Sequence, residues 1–125
     1  MTLRPGSHGS IDLAVTDADT AIALHSGDVP VLATPRLVAL FEEASVLALG
    51  SQLEDGQTTV GMRVQVDHLA PSAVGDVVTA DATLDRIEGR RLIFTVSARD
   101  SRGLIGAGKV TRVVVDTRRF LDRLG

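Results

Sequence analysis

The sequence has no cysteine, tryptophan or tyrosine, and its only aromatics are Phe41, Phe94 and Phe120. Without cysteine there is no disulfide, no thiolate metal ligand and no sulfur nucleophile, which suits a reducing compartment; the cytoplasm is the expected location. So few aromatic rings leave almost nothing on which bases could stack. Strong charge of one sign is also missing: the net charge is -3, with no basic stripe to gather phosphates, so nucleic acid is not an expected partner. No apolar run is long enough to span a bilayer, so no membrane association is expected, and Met1 to Ser10 lacks the apolar stretch of a secretory signal. His8, His25 and His68 lack metal-ligand spacing, and Gly103, Gly106 and Gly108 precede no helix. Neither a metal site, nor a nucleotide-cradling loop, nor a bound cofactor is therefore expected.

What is present is a chain of 125 residues, 44% hydrophobic, rich in Val, Leu and Ala. That is enough to bury one core and too little for two ordinary domains. Residues 1–10 read as a flexible polar arm, and 11–125 as a single domain. Ile11, Leu13 and Val15 alternate with Asp12, Ala14 and Thr16, the period of a half-buried strand. Asp19 or Thr20 can cap a brief helical turn through Leu24, and Ser26 to Pro30 is loop. Thr34 followed by Pro35 predicts a helix start, with the hydroxyl as N-cap and proline as first helical residue; the helix runs to Leu49 and stops at Gly50. Leu37, Phe41, Ala44 and Ala48 share one face, and Leu40, Leu47, Val38 and Leu49 widen it until nearly the whole circumference is apolar. Such a helix needs to be wrapped.

The rest of the chain supplies strands for the wrapping. From Thr58 to Leu69, Val60, Met62, Val64, Val66 and His68 share one parity, predicting one inward face. Residues 78–85 and 92–99 alternate on either side of the Glu88-Gly89-Arg90 turn, a hairpin. Ser101-Arg102-Gly103 turns the chain into Leu104 to Asp116, where Gly106 and Gly108 predict a bulge or a close backbone approach. Thr117 then caps a short terminal helix. This order predicts an α+β fold, a five-stranded antiparallel sheet curled around one long helix. One helix covers one face only in part, so oligomerisation would complete the burial.

Three polar residues fall where chemistry is possible. His68 sits on the inward parity of its strand, and Pro71 ends that strand shortly after, leaving the imidazole near the rim where a pocket can open. Thr34 stands at the amino end of the helix, where free amides and the dipole favour developing negative charge. Glu42 and Glu43 lie on opposite flanks of the helix, and spacing alone does not choose between them. A carboxylate in an enclosed site can attack a carbonyl or activate water. Thr34 and Glu42 are eight residues apart, within about 80° of each other and roughly two turns along the axis, so both can border one long cavity. Gly61 offers an unhindered amide, and Arg112 and Lys109 are candidates to meet the phosphates of a coenzyme.

Taken in order, Val31-Leu32-Ala33-Thr34-Pro35, Glu42, Val60-Gly61, Val64-Gln65-Val66-Asp67-His68-Leu69-Ala70-Pro71, Glu88-Gly89-Arg90-Arg91-Leu92 and Ile105-Gly106-Ala107-Gly108 with Arg112 form a pattern. It resembles the hotdog-fold acyl-CoA thioesterases of the fluoroacetyl-CoA thioesterase-like family over roughly Thr16 to Phe120. The resemblance implies a hotdog fold and hydrolysis of a short or medium acyl-CoA. It places the catalytic group on Thr34, Glu42 and His68 and the glycine before the histidine strand on Gly61. In the mechanism it implies, Glu42 attacks or activates water, His68 moves protons, and Thr34 with backbone amides steadies the oxyanion. It further implies a homodimer joined edge to edge, with active sites at the subunit interface. Around the helix entrance this chain has Val29, Val31 and Leu32 and no aromatic wall, so the acyl specificity of the family's named member does not transfer. The alternative expectation is a non-catalytic protein of this fold that binds or senses acyl-CoA; the extended hydratase signature around the histidine is not evident.

Overall fold

The computed structural model describes residues 2–125, so Met1, first residue of the expected arm, lies outside the described residues. The alternating segments form strands β1 (His8–Ala14), β2 (Gln57–His68), β3 (Val77–Glu88), β4 (Arg91–Asp100) and β5 (Gly103–Asp116). The helices are α1 (Thr34–Leu49) and α2 (Thr117–Asp122). Every neighbouring pair is antiparallel in the order β1-β3-β4-β5-β2, which leaves β1 and the longer β2 at the edges.

The sheet curls onto α1 because period-two and helical patterns meet in one core. Val78, Ala80, Ala82 and Leu84 of β3 and Leu92, Phe94, Val96 and Ala98 of β4 are buried, as their alternation predicts. They face Leu37, Leu40, Phe41 and Ala44 on the helix. Alanines at the centre of β3 and β4 let the helix approach, and Phe41 and Phe94 fill the space that remains; truncating Phe41 to alanine would cost about 3–5 kcal/mol. The approach is closest at Gly9, where a Cβ would run into the backbone of Ala44 and Ala48.

That contact explains the first departure from expectation. The sheet begins at His8, not Ile11, so His8 to Ser10 belong to β1 and not to a polar arm: the chain must enter the sheet early for Gly9 to seat the helix. Further back, Gly6 N–H donates to the Leu84 carbonyl and Leu84 N–H to the Ser7 carbonyl, continuing the connection to β3. A 3-10 turn forms at Asp17–Asp19, headed by Thr16, while Thr20 heads the expected turn that follows and its hydroxyl accepts from Ala23 N–H.

β2 departs more from its pattern. Its register against β5 shifts between Gly61 and Arg63, so the residues facing the helix change from odd to even across this bulge. Thr59 is buried while Met62 and Val64, expected inside, are 43% and 38% exposed. Nor is α1 enclosed on every side, since Val46 and Leu47 are 48% and 52% exposed on the face turned from the sheet. Gly106 and Gly108 mark a close approach: a Cβ on Gly106 would meet Leu37, and one on Gly108 would strike the Gln65 backbone. Among the described residues no helix is long and apolar enough to cross a membrane.

Candidate functional site

α1 begins one residue earlier than its threonine suggests. Ala33 is the N-cap and Thr34 the first helical residue, with Pro35 next; the Thr34 side chain caps nothing. The hydroxyl is therefore released from the local duty expected of it and turns outward across the chain. Thr34 Oγ1 lies 2.8 Å from His68 Nδ1, a hydrogen bond whose direction follows the imidazole tautomer. His68 closes β2 opposite Gly106, whose missing side chain lets Leu37 of α1 pack close to the strand end.

The other ring nitrogen, Nε2, is buried and has no hydrogen-bond partner among the described residues. A buried polar atom without a partner is costly, and where it borders a cavity it is placed to meet a ligand or water. Burial pushes the imidazole below its ordinary value of 6.5, and a backbone hydrogen bond at Ala70 only partly opposes this, so the neutral ring is favoured. Thr34 and His68 line one cavity of about 320 Å³ together with the 26–32 loop and Leu69 to Pro71.

The base of that loop is firmly held. Asp19 accepts hydrogen bonds from the Thr16 amide and hydroxyl and pairs with Arg36 at 3.1 Å. Burial alone would raise the Asp19 carboxyl, but these partners outweigh it and hold it below the usual carboxylate range. Ala33 N–H donates to the Asp19 carbonyl, which ties the loop to the start of α1.

Glu42 occupies a different place. Its Oε2 accepts from Arg112 Nη1 at 2.8 Å, while Arg112 also donates to the Thr59 hydroxyl at 2.9 Å and the Thr59 carbonyl at 3.0 Å. Glu43 pairs instead with Arg36, so the two glutamates, which spacing could not tell apart, differ in their arginine partners. Gly61 lies directly beneath Glu42: a Cβ there would sit 2.5 Å from Oε2. Its glycine is thus explained by a side-chain carboxylate pressed against the strand.

The expected single cavity is therefore not formed within one chain. Thr34 and His68 come together, but Glu42 and Glu43 border a separate groove with Arg112, Ala39 and Val46, and the two hollows share no lining residue. Arg112 is 8% exposed and committed to Glu42 and Thr59, which removes it from the phosphate-binding role expected of it. Its alternation with Val110 and Val114 on the inward face of β5 was the signal of this burial. Thr59, which holds two of the guanidinium nitrogens, gave no sign in the sequence beyond its place next to Val60. Among the described residues no group of three His, Asp or Glu side chains is placed to hold a metal ion.

Known proteins share this fold. Residues 15–118 match the family described as fluoroacetyl-CoA-specific thioesterase. The fluoroacetyl-CoA thioesterase of Streptantibioticus cattleyicolor is 40% identical over 90 residues, 72% of this chain and 65% of that protein, so the match spans just under two thirds of its length. The crystal structure of a variant of the fluoroacetyl-CoA-specific thioesterase in complex with fluoroacetate and CoA has a TM-score of 0.88 at 34% identity, covering 94% of this chain and 99% of that one. A hot-dog-like protein from Thermanaerovibrio acidaminovorans has a TM-score of 0.90 at 30% identity, covering 98% and 90%. With most of its length matched in sequence and nearly all of it in structure, the chain has the hotdog fold and belongs to the fluoroacetyl-CoA-specific thioesterase family.

Proposed function

We propose that this protein hydrolyses a short acyl-CoA to the free acid and CoA, working as a homodimer in which each active site draws on both chains. The observation that carries the reading is the unpartnered, buried Nε2 of His68 on the wall of a cavity whose other polar group is Thr34 at the amino end of α1. A neutral imidazole there is ready to accept a proton. The helix amides and the Thr34 hydroxyl favour the negative charge that a thioester oxygen gains when its carbon is attacked.

Hydrolysis further calls for a group that attacks the carbonyl or aligns water, and Glu42 is the candidate. Arg112 holds one of its oxygens, leaving the other for water or the thioester carbon. Within one chain it stands too far off. The unpaired edge of β2 supplies a remedy: antiparallel pairing of two β2 edges about a two-fold axis sets the Gly61 end of one chain beside the His68 end of its partner. It also covers Met62 and Val64, which one chain leaves exposed. Water then adds to the thioester carbon with Glu42 of one chain and His68 of the other; the proton lost by water passes to the departing CoA sulfur.

The test is thiol release across acyl-CoA chain lengths, with His68→Ala and Glu42→Gln beside the native protein. Saturable release that falls about 100-fold or more in both variants is expected. No release from any acyl-CoA would overturn hydrolysis, and saturable binding of CoA thioesters without release would identify a non-catalytic binder instead.

A further inference from the structure

The cavity that holds His68 has one carboxylate on its wall. It is Asp28, which lines the cavity with Ser26, Val29 and Leu69 beside Thr34 and His68. No described residue gives Asp28 an ion pair or a hydrogen bond, unlike Asp19, Glu42 and Glu43, which all have arginine partners. A carboxylate beside a reaction centre and without a counter-charge is a recognition element for whatever occupies the cavity.

Asp28 is also held in place. The loop that carries it is closed at its base by the bridge between Thr20 and Leu32 and by Ala21 N–H donating to the Val31 carbonyl at 2.9 Å. A second bond, Ser26 N–H to the Ala21 carbonyl at 2.9 Å, folds the loop back on itself. His25 makes the reversal in the left-handed region at a φ of 56°, a conformation non-glycine residues seldom adopt. Residues 26–29 are thereby set across the cavity by backbone geometry.

Resting on the hydrolytic reading above, we infer that Asp28 selects the acyl group: the cavity takes a short acyl chain bearing a hydroxyl or ammonium donor and turns away one that ends in a carboxylate. A donor on the chain gains a charge-assisted hydrogen bond that a plain alkyl group cannot make. Asp28 stands exposed at the cavity mouth, and there a second carboxylate meets like charge. The small volume, about 320 Å³, and the absence of any aromatic wall fit a short polar chain better than a long alkyl one.

Four CoA thioesters of matched length separate these effects: propionyl, 3-hydroxypropionyl, 3-aminopropionyl and malonyl. Their kcat/KM values, and the affinities of their non-hydrolysable thioether analogues, are measured on the native protein and on Asp28→Asn and Asp28→Lys. The native protein is expected to favour the hydroxyl and ammonium chains over propionyl by about tenfold and to disfavour malonyl by at least as much. Asp28→Asn removes the charge in nearly the same shape and compresses the series; Asp28→Lys moves malonyl to the top. Propionyl equal to or better than the donor-bearing chains, with the same order in all three proteins, would overturn the role of Asp28. Because the analogues report binding without turnover, failure of hydrolysis alone would count against the catalytic reading and leave the Asp28 series to be judged on affinity.

Discussion

Combining two inactive chains provides the sharpest test of how the site is built. Across β2 and β5, His68 faces Gly106 and Gly61 faces Arg112, six residues further along β5. At about 3.3 Å per residue this sets the imidazole's strand position and the one beneath Glu42 roughly 20 Å apart, beyond the combined reach of the side chains. If the working site pairs His68 of one chain with Glu42 of the other, a dimer of His68→Ala with Glu42→Gln contains one site with both groups native and one with neither. Coexpressing the two under different tags and purifying by both tags isolates that heterodimer. Its kcat is expected at about half the wild-type value per dimer, against losses of about 100-fold in each parent homodimer. Thiol release gives the rates, and mass measurement confirms the composition. A heterodimer no faster than its parents would refute the composite site, because a site contained in one chain is broken in both members of the pair.

The other expectations separate local roles. Thr34→Val should lower kcat about tenfold or more while leaving urea-unfolding stability within about 0.5 kcal/mol, because Ala33 and not Thr34 is the cap; a loss near 1 kcal/mol, the usual cost of a missing cap, would return Thr34 to a capping role. Gly61→Ala places a methyl 2.5 Å from Glu42 Oε2 and should displace that flexible carboxylate from Arg112, cutting kcat about tenfold or more with the fold intact by circular dichroism; native rates would contradict the position assigned to Glu42. Because burial depresses the His68 imidazole, the unfolded chain binds its proton first as pH falls below 6.5. His68 therefore contributes stability above that value, lost as pH drops toward the folded pKa, and the rising acidic limb of kcat/KM should have its midpoint below 6.5. A midpoint above 6.5, or a profile unchanged in His68→Ala, would remove the imidazole from proton transfer.

The parts of the fold that could be read in advance are those where one local rule acts alone. The alternation of residues 78–84 in β3 and 92–98 in β4 holds up to the register shifts beyond Leu84 and Ala98 because both strands lie inside the sheet with one face on α1, and the extent of α1 follows from its proline and its terminal glycine. Reading failed where a tertiary contact overrides the local rule. The bulge after Gly61 reverses the parity of β2, which lets Gly61 and His68 face the same side although seven residues separate them. The alternation of Arg112 with Val110 and Val114 marks its inward face, but its pairing with Glu42 spans 70 positions and leaves no local trace, so the sequence points Arg112 to coenzyme phosphates instead. The cap expected at Thr34 falls on Ala33, because an N-cap and a first-turn threonine are identical in sequence and differ only in backbone angle.

These departures share a physical cause, and it bears on function. α1 is more apolar than the sheet beneath it can cover, and β2 is longer and more apolar than an exposed edge usually tolerates. A chain selected to stand alone would place charge at Met62, Val64 and Val46, where it would cost nothing in packing. Instead these positions stay apolar, Val46 on the Glu42 groove and Met62 and Val64 on the edge strand that ends at His68, whose buried Nε2 has no partner among the described residues. Unburied surface and unfinished chemistry thus lie along one edge, so a second copy that satisfies the first would also satisfy the second. Stability and activity would then rise and fall with the same association, since both depend on the pairing of one strand.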